Sequence, residues 1–329
     1  MHRFQLELDD LASAAFACSP LQEAVLSLRM WTHPGTYHPA QTAWFELIRP
    51  EFERLPQAGL LRSLVASNRW VPDFLTPRPA TPFPDFRSEL ALVRALPPER
   101  LATELERAHL PHDRRLPAPL AAGLAADPAG LLAEIADALA AYWDRCLAPA
   151  WWPRARSALQ ADIVHRSRML AERGAAALFA DLDGRLQWAD GVLTIRRDWA
   201  PGDADVVVAR RGLVFSPSCF IRGAVTSISD DYPPSIVYPT RGQATMTPSP
   251  QPPPAREALE LLLGAPKARL LALLDEPTST TELAARLGVT PGAVSQHLTV
   301  LHATRLVTRT RSGRLVLYAR SPLGDQLRS

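Results

Sequence analysis

The sequence predicts a mainly helical α+β protein in two parts, and three observations lead there. Residues 128–147 and about 154–180 are alanine-rich and long enough for substantial helices. Near residue 186 the period changes: Leu186-Gln187-Trp188-Ala189 and Val192-Leu193-Thr194-Ile195 flank Asp190-Gly191, a strong two-residue hairpin signal. Beyond a proline-rich stretch, residues 256–329 return to short capped helices followed by an alternating, arginine-tipped hairpin.

Taken in order, Ser19 reads as an N-cap with Pro20 at the first helical position, and Leu21, Val25 and Leu28 supply one apolar face. Residues 32–84 are dense in proline and aromatic residues and read as short helices and loops. Residues 85–109 read as two helices broken at Pro97-Pro98. After the 186–195 hairpin, Val206-Val207-Val208, Leu213-Val214-Phe215 and Ile236-Val237-Tyr238 read as further strands. The boundaries follow: a helical part at 1–244 with β elements at about 185–240, a linker at 245–255, and a separate module at 256–329. The linker, Thr245-Met246-Thr247-Pro248-Ser249-Pro250-Gln251-Pro252-Pro253-Pro254, lacks hydrophobic periodicity, and its prolines favour extended polyproline II.

Composition narrows the function. No apolar run approaches the roughly 20 residues of a membrane span. Acids within Met1–Asp10 stand where a secretion signal needs a basic and then apolar run. The three cysteines, Cys18, Cys146 and Cys219, are far apart and odd in number, which fits a reducing cytoplasm rather than a disulfide framework. Lys267 is the only lysine, so arginine abundance reflects codon bias and says nothing about nucleic acid. Charge distribution says more. From Arg256 onward ten basic residues face six acidic ones, a surplus of four against a whole-chain net charge of +2. A mildly acidic body with a basic tail suits a phosphate-binding module joined to something else.

That tail carries the clearest pattern. Leu270, Leu271, Leu273 and Leu274 give a short apolar helix entered at Pro266 and stopped by Pro277. Ser279-Thr280-Thr281-Glu282 has capping-box spacing and opens a second helix, with Leu283, Ala284 and Leu287 on one side and Gly288 as C-cap. Thr290-Pro291 opens a third. In it Val294, Leu298 and Leu301 face a core, while Gly292, Ala293, Ser295, Gln296 and Thr299 form the opposite, small and polar face. Short side chains admit a DNA groove and a few donors and acceptors read base edges, so Ser295 and Gln296 are the leading base-contact candidates.

A hairpin follows. Leu306 to Arg311 and Arg314 to Ala319 alternate around Ser312-Gly313, which pairs Arg311 with Arg314, Arg309 with Val316 and Val307 with Tyr318. Arginines then crowd one face, a cost that a phosphate backbone relieves. The whole order is that of a winged helix-turn-helix. The DNA-contact candidates are Thr281, Thr290, Gly292, Ala293, Ser295, Gln296, His297, Thr299, Arg309, Arg311 and Arg314.

The run Glu282-Leu283-Ala284-Ala285-Arg286-Leu287-Gly288-Val289-Thr290-Pro291-Gly292-Ala293-Val294-Ser295-Gln296-His297-Leu298 resembles the core of the ArsR/SmtB-type winged-helix repressors. Leu301, Leu306-Val307 and Gly313-Arg314 extend the resemblance. It implies a cytoplasmic, homodimeric repressor that binds an inverted repeat in double-stranded DNA and releases it when an effector binds. The family's metal-sensing Cys-x-Cys is missing from 281–287, and no cysteine follows Cys219, so the effector is expected to be a small molecule or partner rather than a metal. The chain stops soon after Ser321-Pro322-Leu323-Gly324-Asp325, so the last helix is short. Ser19–Ala24, Pro72–Pro77 and Val237–Gly242 resemble an uncharacterised domain that accompanies this winged helix in actinobacterial-type regulators.

The first part shows no glycine-rich phosphate loop, no Gly-x-Ser-x-Gly elbow and no His-Glu-x-x-His, so no enzyme activity, cofactor or metal is implied. His33, Tyr37 and His38 read as a surface loop, and Asp181 and Asp183 as turn residues beside Gly184. Trp143, Trp151 and Trp152 read as core, with an apolar pocket as the other possibility. The expected function is a sequence-specific DNA-binding regulator whose first domain senses and dimerises. The alternative is an enzyme or protein-interaction module carrying a winged-helix regulatory tail.

Overall fold

A computed structural model describes residues 2–32, 41–67, 70–110, 113, 115–196, 204–208, 211–229, 231–241, 256–312 and 315–327. The proline-rich 245–255 stretch and the His33, Tyr37 and His38 loop lie outside these residues. The chain divides into two compact units, Met1–Pro248 and Ser249–Ser329. It is mainly helical with small sheets, as its composition and periodicity predict.

In the first unit the helices lie where local signals put them. Helix Pro20–Ser27 is capped by Ser19, whose hydroxyl accepts from the Gln22 amide at 2.9 Å, and every one of its residues is buried. The proline pair at 97–98 separates helices Phe86–Arg94 and Pro98–His109. Helix Pro128–Tyr142 runs into a π-helical turn, Trp143–Leu147, and helix Trp152–Leu182 follows. That last helix breaks at Gly174, whose φ of 78° is open to glycine at little cost. The proline-rich 32–84 region holds more regular structure than expected. Helix Thr42–Glu53 spans twelve residues despite Pro50, because Trp44, Phe45, Ile48 and Phe52 form one buried stripe.

One correction concerns Asp181. It is not a turn residue but part of the final turn of helix Trp152–Leu182. Leu178, Phe179 and Leu182 bury there and carry the helix past the polar positions, and Arg166 pairs with the Asp181 carboxylate. Asp183 does sit at the helix end, where its carboxylate accepts from the amides of Arg185 (2.7 Å) and Ala224 (3.0 Å).

Strands Leu186–Ala189 and Val192–Ile195 pair antiparallel about Asp190 (φ 51°) and Gly191 (φ 78°), the two positive φ values that such a tight turn requires. Val192–Ile195 then pairs with His2–Gln5, which pairs in parallel with Ala204–Val207. A second sheet runs Ala15–Phe16, Val214–Ser218, Ser235–Pro239, Val225–Thr226. Its strand Val214–Ser218 is buried along its whole length and has a parallel partner on each side. That burial on both faces is usual for parallel strands.

Two cores fill the unit. A helical core gathers Leu21, Val25, Phe52, Leu61, Leu105, Leu139 and Tyr142, among others. A sheet core gathers Phe4, Phe179, Leu193, Phe215, Ile236 and Tyr238. Trp143 stacks on Phe86 at 4.4 Å and meets Trp152 edge-on at 5.3 Å, as core aromatics do.

The second unit holds helices Arg256–Leu263, Ala265–Leu273, Thr280–Leu287 and Pro291–Ala303, a hairpin of strands Val307–Ser312 and Leu315–Arg320, and the short helix Pro322–Gln326. Its core is Leu259, Leu270, Leu271, Leu274, Leu283, Val294, Leu298, Leu301, Leu306, Val307 and Tyr318. Helix Arg256–Leu263 and the two-residue strand Thr278–Ser279 have no counterpart in the sequence reading.

Candidate nucleic-acid interface

Helix Thr280–Leu287 begins with a reciprocal cap. The Ser279 amide and hydroxyl both donate to Glu282 Oε2, at 2.9 and 2.8 Å, and the Ser279 hydroxyl accepts from the Glu282 amide at 3.3 Å. These bonds from Ser279, backbone first, hold the Glu282 carboxyl below its ordinary pKa. Gly288 closes the helix in the left-handed conformation, φ 65° and ψ 33°. The chain turns, and Thr290 caps the next helix by accepting from the Ala293 amide at 3.3 Å.

Helix Pro291–Ala303 buries Val294, Leu298 and Leu301 and leaves Gly292, Ser295, Gln296 and Thr299 exposed. Ala293 and His297 are half-buried at the margin, and Thr281 and Thr290 are exposed. Helix Pro291–Ala303 thus presents a small, polar outer face, with its aliphatic side fixed in the core. Thr299 donates its hydroxyl proton to the Ser295 carbonyl at 2.9 Å, so toward a ligand it offers a methyl group and an acceptor.

The wing differs from the sequence reading in register. Val307 pairs with Arg320, Arg309 with Tyr318, Arg311 with Val316 and Ser312 with Leu315. Arg311 and Arg309 therefore have partners other than the expected Arg314 and Val316, and Gly313 lies outside the described residues. Arg314 is outside the described residues. A slip of two residues leaves every side chain on its own face, so the alternating pattern fits either register. Tertiary anchors distinguish them. Strand Leu315–Arg320 also pairs with Thr278–Ser279, Leu317 opposite Ser279 and Tyr318 opposite Thr278. At its end the Arg320 guanidinium donates to Asp325 Oδ1 (2.7 Å), Asp275 Oδ1 (2.8 Å) and the Leu271 carbonyl (3.1 Å).

Arg309 and Arg311 alternate with the buried Val307 and so share its face of the hairpin; both are exposed. Arg286 and Arg305, exposed at the end of helix Thr280–Leu287 and just after helix Pro291–Ala303, add positive charge that the residue-by-residue reading passed over. Arg320, by contrast, belongs to the basic surplus yet is tied into internal ion pairs. Among the described residues no group of three or more His, Cys, Asp or Glu is placed to hold a metal ion. No described helix is long and apolar enough to cross a membrane.

Two capped helices at a glycine turn, the second with a polar outer face, and a following β-wing define a winged helix-turn-helix DNA-binding domain. Residues 270–309 match the sequence model of the bacterial regulatory protein, arsR family. Residues 270–309 thus carry an arsR-family domain, and the chain is a DNA-binding transcriptional regulator. Among solved structures it is similar to reduced HlyU from Vibrio cholerae N16961, 31% identical over 22% of this chain and 79% of that one, with a TM-score of 0.19. It is also similar to HlyU from the same organism, 29% identical over 23% and 86% of the two chains, again with a TM-score of 0.19. No curated protein matches the chain.

Proposed function

We propose that the protein is a cytoplasmic repressor that binds an inverted-repeat operator as a homodimer, its DNA affinity set by a non-metal effector or partner acting through the Met1–Pro248 unit. Ser295 and Gln296 read base edges; Thr281, Thr290, Gly292, Ala293, His297 and Thr299 line the approach; and Arg309, Arg311 and Arg314 hold phosphate. The observation that carries this reading is the two-sidedness of helix Pro291–Ala303, with Val294, Leu298 and Leu301 buried and Ser295 and Gln296 exposed. A helix so anchored can enter a major groove without repacking its core. Two-fold symmetry of the protein would match two half-sites one helical turn apart. Coupling of that kind between a sensing unit and a DNA-binding unit is typically worth about 1–3 kcal/mol.

The test is a mobility-shift assay on the DNA upstream of the gene, with random DNA as competitor and rising salt. A repressor of this kind forms a specific complex whose affinity falls steeply with salt. Absence of binding at low salt, or equal competition by random DNA, overturns the reading.

A further inference from the structure

Helix Trp152–Leu182 carries a basic face that the winged helix does not account for. Up to its break at Gly174 the helix buries Ala155, Leu159, Asp162, Ile163 and Arg166. Arg154, Arg156, Arg168 and Arg173 are exposed, and none of them makes an ion pair with the described residues. By contrast, Arg49 faces Glu46 (2.6 Å), Arg87 faces Asp144 (2.5 Å), Arg94 faces Asp137 (2.6 Å) and Arg145 faces Glu51 (3.0 Å). Before Arg256 the chain carries a small acidic excess, so this concentration of positive charge is local rather than compositional.

Positions 154, 161, 165 and 168 fall on one side of the helix, because spacings of seven, four and three residues return to the same face. Arg154 and Arg168 thus stand about 21 Å apart along it, at about 1.5 Å per residue. Between them Ser157 and Ala161 are small and exposed, and the Ser157 hydroxyl donates to the Pro153 carbonyl at 3.1 Å. Glu172 is the one exposed acid between Trp152 and Arg173. An extended row of cations on a low ridge suits a polyanion rather than a compact ligand. The chain also leaves the unit beside this helix, where the Arg241 amide donates to Asp162 Oδ1 at 3.0 Å. Residues 242–255 then lead to Arg256, and an extended chain of that length spans at most about 50 Å. DNA gripped by the winged helix is therefore tethered to this exit point. We propose that the exposed face of helix Trp152–Leu182 is a second contact with the DNA backbone, made by Arg154 and Arg168 with Arg156 and Arg173 at its flanks. It neutralises phosphates without reading bases and lengthens the footprint beyond the winged helix.

This surface rests on DNA binding by the winged helix, and one titration series separates the two. The full-length chain is titrated against a fluorescent duplex of random sequence at several salt concentrations. The duplex is about 60 base pairs long, well beyond the tether's reach. Arg154→Ala with Arg168→Ala should weaken binding about three- to tenfold and lower the salt slope by about two. Arg154→Lys with Arg168→Lys keeps both charges and should bind like the parent. Arg87→Ala with Arg94→Ala removes the same charge elsewhere in the unit and should leave the slope in place. An unchanged slope in the Arg154, Arg168 alanine pair overturns the DNA contact in favour of an acidic protein partner. An equal loss in the Arg87, Arg94 pair overturns it in favour of net charge alone. If Arg309→Ala with Arg311→Ala lowers the slope and the Arg154, Arg168 pair does not, only this surface falls. If the parent binds no duplex at low salt, the regulator reading falls with it.

Discussion

Ser279 lies opposite Leu317 in the wing sheet while its hydroxyl caps helix Thr280–Leu287 through Glu282. One residue therefore joins the wing strand to the first helix of the DNA-binding pair. The backbone of Ser279 fixes the sheet edge, and its side chain fixes the helix start. Ser279→Ala should destabilise the protein by about 1 kcal/mol, the usual worth of an N-cap hydroxyl. Ser279→Thr should recover most of it. Chemical denaturation monitored by circular dichroism reads both, and an unaltered midpoint in the alanine variant would show that the cap contributes nothing.

Base reading and phosphate holding should separate. Gln296→Ala should lose about 1–3 kcal/mol for one base pair and leave the salt slope in place. Arg309→Ala or Arg311→Ala should weaken all sequences alike and lower the salt slope by about one. Fluorescence-anisotropy titrations on matched and mutated operators, at several salt concentrations, distinguish the two. If removing both arginines changes neither affinity nor slope, the wing does not touch DNA.

Gly324 sets how closely the last short helix can approach. A Cβ placed there would stand 2.2 Å from the Leu306 carbonyl oxygen, and a backbone atom cannot swing aside as a side chain can. Ser321 holds the same corner, accepting from the Gly324 amide at 3.1 Å and donating to the Arg305 carbonyl at 2.6 Å. Gly324→Ala should thus cost about 1–3 kcal/mol through strain. A melting temperature equal to the parent's would mean that the helix is not docked in solution.

Buried acids make the first unit pH-sensitive. Burial lifts Glu89 from 4.5 to about 7, against hydrogen bonds from the Leu21 amide and the Ser19 hydroxyl. Glu23 is lifted to about 7 as well. A carboxyl whose folded pKa is raised holds more protons folded than unfolded, so its contribution is full below about 4.5 and is lost as pH rises through about 7. Melting temperature should therefore fall from pH 5 to pH 8 through this unit. Glu89→Gln, which keeps an acceptor for Ser19 and Leu21, should flatten that dependence. The flattening is partial, because burial also lifts Asp73 to about 7, opposed by the amides of Ile228 and Ser229. A Glu89→Gln profile as steep as the parent's would remove Glu89 from the account.

Features set by neighbours in the chain were legible in the sequence. The Ser19 and Ser279 caps, the Gly288 C-cap, the Asp190-Gly191 turn and the buried face of Val294, Leu298 and Leu301 all depend on residues within about a turn of one another. Features set by distant partners were not. His2–Gln5 becomes a central strand only because Val192–Ile195 and Ala204–Val207 flank it, and Ala15 pairs with Val214 across the length of the helical core. The wing register was open to the sequence because a two-residue slip conserves the faces, and it closed only when Thr278–Ser279 and Arg320 supplied anchors. Burial of Glu23 beside Cys219 and Trp151 likewise has no local signature. Capping, turn and periodicity rules act through short-range sterics and hydrogen bonds that a sequence displays directly. Strand partnership and desolvation depend on which surfaces meet, and only the folded chain decides that.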